Sequence, residues 1–134
     1  MRPMAVSSRF PFIEHVGLRI AEQRAGYSRC TLTVAPHHFN GAGVVHGGVI
    51  FTLADTGMGA ALIPMLHEGE RCATVEIKIN YFKPVLEGEV TCTTELVQRA
   101  KSLAWLESGV RVDGALVARA SGTYAVIRRA SGGS

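Results

Sequence analysis

One acidic residue, Asp55, interrupts a long apolar segment that runs from Asn40 to Leu66, and it is the only acid in that segment. An unpaired carboxylate in apolar surroundings costs several kcal/mol, and such carboxylates are enriched at functional sites. Asp55 is therefore a candidate catalytic group. The alternative, to which composition gives equal weight, is a structural Asp bonded to Thr52, Thr56 or a neighbouring strand.

A second candidate group is the start of the helix predicted for this segment, at His46-Gly47-Gly48. A helix N-terminus carries unpaired N–H donors and a partial positive charge, which suits a carbonyl oxygen that becomes an oxyanion. Asp55 lies about 12 Å further along the helix axis, too far for both groups to contact one atom within a subunit. A two-fold dimer with antiparallel helices would bring them together, so the sequence predicts a shared site.

The elements that must position these groups are one helix and six strands. The segment that begins near Gly47 predicts a buried helix of about four turns that ends near Pro64, because it is apolar on nearly all faces. Gly57 and Gly59 are poor helix formers, so close packing or a ligand is expected there. Alternating polar and apolar residues predict the strands, and Asp113-Gly114 predicts a tight hairpin. The predicted ranges are a short helix over 9–16 and strands over 18–22, 27–34, 73–81, 90–97, 103–112 and 116–127.

Length and composition fit one α+β domain over residues 1–134, with flexible tails expected at 1–8 and 130–134. The net charge of +3 is modest, and no basic run alternates with aromatic residues, which argues against nucleic-acid binding. The three cysteines, Cys30, Cys72 and Cys92, fit reduced core positions better than disulfides and lack metal-ligand spacing. We expect a cytoplasmic protein without a cofactor, a metal or a membrane partner, since no signal-peptide or uninterrupted membrane-spanning run is found.

The combination of Asn40, His46-Gly47-Gly48 and Leu53-Ala54-Asp55 resembles the signature of hotdog-fold acyl-coenzyme A thioesterases of the phenylacetate-pathway (PaaI-like) group. The similarity extends from about Phe12 to Ile127 and includes ATVEIKINYFKP after the helix. The resemblance implies a hotdog fold, an antiparallel six-stranded sheet wrapped around one long helix. It also implies an acyl-coenzyme A substrate and a homodimer that often forms a tetramer.

The resemblance also implies roles for five residues. In similar enzymes, the residue at Gly47 donates its backbone N–H to the thioester carbonyl, and the acid at Asp55 of the opposing subunit acts as general base or nucleophile. His46 and Asn40 match residues that position the thioester or stabilise the leaving thiolate and the loop. Thr74 matches a hydroxyl residue that orients the water. Taken singly, such a His is more often a helix cap, such an Asn a turn residue and such a Thr an ordinary strand residue; the resemblance, through their joint spacing with Asp55, favours the functional roles of His46, Asn40 and Thr74.

Further residues are candidates for binding the substrate. Gly48, Phe51, Met58 and Tyr81 could line an acyl pocket, although Phe51, Met58 and Tyr81 could equally belong to the core. Arg99 and Lys101 lie at one hairpin end, and the last strand returns Arg128 and Arg129 to the same end of the sheet. These four could form an anion patch for the phosphates of coenzyme A, with Lys83 near another opening. Solvated surface charge is the alternative.

Three functions are compatible with this pattern. The first is hydrolysis of an aryl-acetyl or a medium- or long-chain acyl-coenzyme A thioester. The second is a non-catalytic hotdog module that binds acyl-coenzyme A. Asp55 is evidence against this second function, because a binding protein has no need of an acid in an apolar helix. The third, a hotdog dehydratase or hydratase, resembles this motif spacing less.

Overall fold

The computed structural model describes residues 10–128, so the predicted tails, Arg9 and Arg129 lie outside the described residues. The main elements are α1 (Pro11–Val16), β1 (Leu18–Arg24), β2 (Tyr27–Thr33), α2 (Gly47–Leu62), β3 (Glu70–Tyr81), β4 (Glu89–Arg99), β5 (Leu103–Val112) and β6 (Ala115–Arg128). The strands form one antiparallel sheet in the order β1-β2-β4-β5-β6-β3. The predicted α+β class, with six antiparallel strands around one long helix, is confirmed.

Turn-forming residues lie at the ends of several helices and strands, at positions that the sequence predicts. Asp113 and Gly114 both have positive φ, 51° and 81°, which is the backbone of a tight I′ hairpin between β5 and β6. Gly17, at φ 91°, ends α1 and donates its N–H to the Ile13 carbonyl at 2.8 Å. Pro64 lies in a 3-10 turn over Ile63–Met65 that directly follows α2.

Helix α2 lies close against the sheet because small residues face it. The Ser28 hydroxyl donates to the Gly57 carbonyl at 2.6 Å, and a Cβ atom at Gly57 would lie 2.7 Å from Thr94 Oγ1. Packing therefore accounts for the glycine at position 57. Met58 has no exposed surface and fits against Gly122 of β6. This corrects the prediction that Met58 lines an acyl pocket, since its side chain belongs to the core.

A β-bulge at Val75 breaks the regular alternation predicted for β3. Thr74 pairs with Tyr124 and Glu76 with Thr123, so Val75 is the extra residue between them. Strict alternation would place Ala73, Val75 and Ile77 on one face of β3, but the bulge reverses the faces that follow it, so Ala73 and Ile77 lie on opposite sides of the sheet. As a result, the Thr74 side chain lies on the side of the sheet that faces α2.

The segment Gly47–Met65 is long and apolar enough to cross a membrane by length and composition, although Asp55 and Pro64 interrupt it. In this fold it contacts all six strands, which is the position of a core helix. One side of α2 remains partly exposed, however. The residues of this uncovered face follow helical spacing and are Gly48, Phe51, Thr52, Asp55, Thr56 and Gly59.

Candidate active site

Two strands hold Asp55 at the middle of the uncovered face of α2. Thr74 of β3 donates its hydroxyl to Asp55 Oδ1 at 2.8 Å, and the Tyr124 hydroxyl of β6 lies within hydrogen-bond distance of the same oxygen and donates to the Asp55 carbonyl at 2.8 Å. The predicted alternative partner, Thr52, instead donates to the Gly48 carbonyl at 2.8 Å. Asp55 is thus a paired, half-buried carboxylate, and its partners come from neighbouring strands.

The two side-chain donors leave half of the Asp55 carboxylate available. Both reach Oδ1, and no donor within residues 10–128 reaches Oδ2. Burial, and secondly the hydrogen bond to Asp55, raise the pKa of Tyr124, so its hydroxyl remains a proton donor at neutral pH. The arrangement leaves one carboxylate oxygen able to accept a proton or attack a ligand.

His46 caps α2 and bonds to only one of the two glycines that follow it, so the two backbone N–H groups differ in their hydrogen bonding. Its Nδ1 accepts the Gly48 N–H at 2.7 Å, so the capping alternative weighed for His46 describes its observed contact. The Gly47 carbonyl accepts the Tyr81 hydroxyl at 2.8 Å. No acceptor among the described residues takes the Gly47 N–H. Gly47 therefore keeps a free donor at the positive end of the helix.

Asn40 shapes the loop that leads to this helix start. Its Oδ1 accepts the N–H groups of Ala42 at 2.8 Å and Val44 at 3.2 Å, the pattern of an Asx turn. Asn40, Gly47 and Tyr81 line one cavity of about 300 Å³, with Lys83 at its wall. The structure thus brings Asn40 together with Gly47, as the sequence predicts, and the carboxamide oxygen is committed to the loop.

The candidate residues form two clusters in one chain. Asn40, His46 and Gly47 lie at the start of α2, whereas Asp55 and Thr74 meet two turns further along and do not line the 300 Å³ cavity. Gly48 is exposed and bonded to His46, and Phe51 is half-buried on the uncovered face. Gly47 and Asp55 therefore lie at different positions along the same helix, and a site shared between subunits stays a prediction.

The three predicted basic residues Arg99, Lys101 and Arg128 line a second cavity of about 530 Å³. Glu70, which no sequence pattern singles out, lies among them and is 5% exposed. Glu70 accepts the His67 N–H at 2.8 Å and the Arg128 guanidinium at 3.0 Å. The His67 N–H, and then the two guanidinium groups, hold the pKa of Glu70 below its ordinary value.

The antiparallel pairing of β3 with β6 is the feature by which Glu70 could have been identified. It begins β3 directly opposite Arg128 near the end of β6, so an acid at one strand end faces a base at the other. Three cations and one anion around the cavity leave a net positive charge, because Glu70 offsets only part of the charge of Arg99, Lys101 and Arg128. The cavity can therefore attract an anion.

The cysteines are free thiols within the fold. Cys30 and Cys92 are fully buried and face each other across β2 and β4. Burial raises the pKa of Cys30 to about 12 and that of Cys92 to about 11, so neither is a ready nucleophile. Within residues 10–128, no three His, Cys, Asp or Glu side chains converge on a possible metal position.

Comparison with known proteins gives a consistent family. The sequence profile described as "Thioesterase superfamily" matches residues 42–118. A protein of Archaeoglobus fulgidus named "Putative esterase" is 38% identical over 90 residues, which are 67% of this chain and 53% of that protein. Acyl-coenzyme A thioesterase 13 of Homo sapiens is 31% identical over 77 residues, 57% of this chain and 54% of that protein. The matches thus span about half the length of these curated relatives.

A solved structure extends the similarity to the whole fold. A mutant of the phenylacetic acid degradation protein PaaI from Thermus thermophilus superposes with a TM-score of 0.81 at 26% identity. The superposition covers 87% of this chain and 98% of that one. The six-stranded sheet and long helix described above are thus the arrangement of a PaaI-type protein.

Proposed function

This chain belongs to the thioesterase superfamily, and from that premise we propose that it hydrolyses acyl-coenzyme A thioesters in the cytoplasm as a homodimer or a dimer of dimers. The substrate is an aryl-acetyl or a medium- or long-chain acyl-coenzyme A, and the products are the free acid and coenzyme A. The name of the human relative supports the substrate class, and the free thiols fit a reducing compartment.

The observation that carries this proposal is the free half of the Asp55 carboxylate. Two donors fix Oδ1 and leave Oδ2 for chemistry on the uncovered face of α2. As a general base, Oδ2 takes a proton from water while the water oxygen attacks the thioester carbon. The Gly47 N–H donates to the resulting oxyanion, and the carbon–sulfur bond then breaks to release the thiolate. As a nucleophile, Oδ2 would instead form an anhydride that water cleaves.

Dimer formation is supported by what the single chain leaves uncovered. Strand β3 pairs on one side only, with β6, and its opposite edge offers free backbone groups to a partner. Val75, Tyr81 and Phe82 are exposed at this edge and just beyond it. A Cβ atom at Gly59 would contact nothing within 4 Å, so the uncovered face has room for a second helix. Antiparallel helices would bring Gly47 toward Asp55 of the partner subunit.

The basic cavity is a candidate for the phosphates of coenzyme A. Arg99, Lys101 and Arg128 line it, and phosphate oxygens accept hydrogen bonds from guanidinium and ammonium groups. Arg128 and Arg99 already contact Glu70, so Lys101 is the cation with most freedom to bind a phosphate. His46 and Asn40 hold the loop and helix start that present the Gly47 N–H. The Thr74 oxygen can accept a hydrogen bond from the attacking water beside Asp55.

A non-catalytic acyl-coenzyme A-binding module is the second candidate. It would use the same cavities without needing the Asp55 Oδ2 atom. The free carboxylate oxygen favours hydrolysis, because desolvating a charged group without a ligand or reaction to serve is unfavourable.

The experiment measures thiol release from a panel of aromatic and aliphatic acyl-coenzyme A substrates, with the native protein beside Asp55→Ala. We expect hydrolysis by the native protein, and kcat at least about 10²-fold lower in Asp55→Ala, because general-base assistance supplies this much or more. Circular dichroism and solution mass confirm that the variant folds and assembles. Tight binding without turnover by the native protein would favour the binding module, and a folded Asp55→Ala protein with full activity would remove Asp55 from the mechanism.

A further inference from the structure

We propose that Tyr124 is a positioning residue that acts through Asp55, holding Oδ1 so that Oδ2 faces the substrate. This inference rests on the proposed function, since it assigns Tyr124 a part in the same reaction. Nothing in the motif that identifies the family includes position 124, which lies 69 residues beyond Asp55 in the sequence.

The geometry of the Tyr124 hydroxyl is unusual for a core tyrosine. It lies within hydrogen-bond distance of two oxygens of the same residue, the Asp55 carbonyl at 2.8 Å and, at a shorter contact, Asp55 Oδ1. Contact with the backbone oxygen fixes the hydroxyl relative to α2, and contact with Oδ1 fixes the side chain relative to that backbone. Tyr124 therefore restricts the rotation of the carboxylate.

The surroundings of Tyr124 show that the hydroxyl is not needed for packing. The side chain is 3% exposed and lies in a cluster with Ala54, Met58, Leu62 and Leu106. A phenylalanine has the same ring and would bury the same apolar surface. A buried hydroxyl is costly without a partner, so its presence in this cluster is explained by the contact with Asp55.

Tyr124 also completes a set of two donors on one carboxylate oxygen. Thr74 lies directly opposite Tyr124 in the register of β3 and β6, and its hydroxyl reaches the same Oδ1 at 2.8 Å. Thr74 is exposed and can also accept a hydrogen bond from water, whereas Tyr124 is shielded beneath the carboxylate. Tyr124 thus orients the Asp55 carboxylate from its buried side, and Thr74 connects the same carboxylate to solvent.

Few titratable groups act on Asp55 from the elements packed against α2. Within the described chain, Cys72 of β3 and Tyr124 of β6 are the groups with an electrostatic interaction with it. Burial raises the pKa of both, so both are neutral where the enzyme would work.

The test compares Tyr124→Phe with the native protein and with Tyr27→Phe. Tyr27 lies in β2 with its ring against Arg24, so it is a matched control for loss of a tyrosine hydroxyl. We expect kcat of Tyr124→Phe to fall roughly tenfold with little change in KM, because the acid is less well oriented. Tyr27→Phe should change neither kcat nor KM, because its ring lies against Arg24 and not against Asp55.

Side-chain carboxyl NMR gives a measurement that does not depend on turnover. The Asp55 signal, identified by its loss in Asp55→Asn, should change in chemical shift in Tyr124→Phe and keep its native position in Tyr27→Phe, because the Tyr124 hydroxyl contacts the carboxylate. If Tyr124→Phe does not fold, 3-fluorotyrosine at position 124 preserves the shape and strengthens the donor, and it should move the Asp55 signal while kcat stays near the native value.

The outcomes separate this inference from the function on which it rests. An active native enzyme whose Tyr124→Phe variant keeps the native kcat and the native Asp55 signal would overturn the role of Tyr124 alone. A native protein that hydrolyses no thioester would overturn the proposed function and this inference with it.

Discussion

At the scale of single residues, neighbouring polar groups with similar chemistry have separate tasks. His46 accepts the N–H of Gly48, whereas the N–H of Gly47 has no acceptor among the described residues. On Asp55, Oδ1 accepts from Thr74 and Tyr124 and Oδ2 from neither. In each pair, one group has a hydrogen-bond partner within the described chain. The other group has no such partner and is available to a ligand.

The role of the Gly47 N–H can be tested by a pair of substitutions. Gly47→Pro removes the N–H, and proline is well tolerated at the first position of a helix after an extended residue such as His46 (φ −59°, ψ 134°). Gly47→Ala keeps the N–H and adds the same Cβ atom, 3.1 Å from the Tyr81 ring. We expect kcat for Gly47→Pro to be roughly 10²–10³-fold below that of Gly47→Ala, the usual effect of an oxyanion donor.

Steady-state kinetics on the best acyl-coenzyme A substrate measures this difference. Equal loss in both variants would show that crowding of Tyr81 is responsible and would remove the Gly47 N–H from the mechanism.

At the scale of elements, irregular features of regular structures position the site. The bulge at Val75 turns Thr74 toward α2, and Gly57 lets α2 approach β2 and β4 closely enough for its carbonyl to accept the Ser28 hydroxyl. Thr94 and Ser108, both buried, share a hydrogen bond of 2.7 Å beneath the helix. The depth at which α2 lies on the sheet therefore depends on small and polar side chains.

Close packing at Gly57 predicts a specific stability effect. Gly57→Ala would force a methyl group against Thr94 Oγ1, and we expect it to lower the free energy of unfolding by about 1–3 kcal/mol, as overpacking usually does. Urea denaturation measures the loss. In a Thr94→Ala background the obstructing oxygen is absent, so the added methyl group should cost less. An equal cost in both backgrounds would mean that the contact with Thr94 is not the cause.

At the scale of the whole molecule, one chain leaves both its sheet edge and its central helix incompletely covered. The free edge of β3 and the uncovered face of α2 lie on the part of the fold where Asp55 and Thr74 meet. A partner placed there would cover apolar surface and add its own Gly47. Under the proposed shared site, assembly and catalysis would be linked, because each cluster would supply one of the two groups that the mechanism needs.

A link between assembly and catalysis predicts different effects of substitutions at two exposed valines. Each of these valines is the extra residue of a β-bulge. Val75 of β3 is 60% exposed, and Val97 of β4 is 55% exposed. We expect Val75→Lys to be largely monomeric and inactive, since a charge on an edge strand opposes pairing with another strand. Val97→Lys should keep the dimer and its activity, and any change from tetramer to dimer would assign Val97 to the second interface.

Light scattering for mass, together with thioester hydrolysis at the same protein concentration, measures both effects. A Val75→Lys monomer with full activity would contradict a site shared between subunits.

Local sequence patterns predict the secondary-structure elements and single out Asp55 as a candidate site residue. The start of α2 at Gly47, the hairpin at Asp113-Gly114 and the six strands follow from apolar periodicity and turn chemistry, which act over a few neighbouring residues. Asp55 is visible in the sequence because an acid contrasts with the apolar residues around it.

Tertiary structure alone decided which groups meet. Tyr124 reaches Asp55 across 69 residues, and Glu70 meets Arg128 across 58, through strand registers that periodicity does not specify. The bulge at Val75 decides that Thr74 faces Asp55, and a shift of one residue would turn it away. Met58 differs from a pocket residue only because Gly122 of β6 lies against it. Such contacts depend on register and packing between distant segments, so the pattern within a single segment cannot contain them.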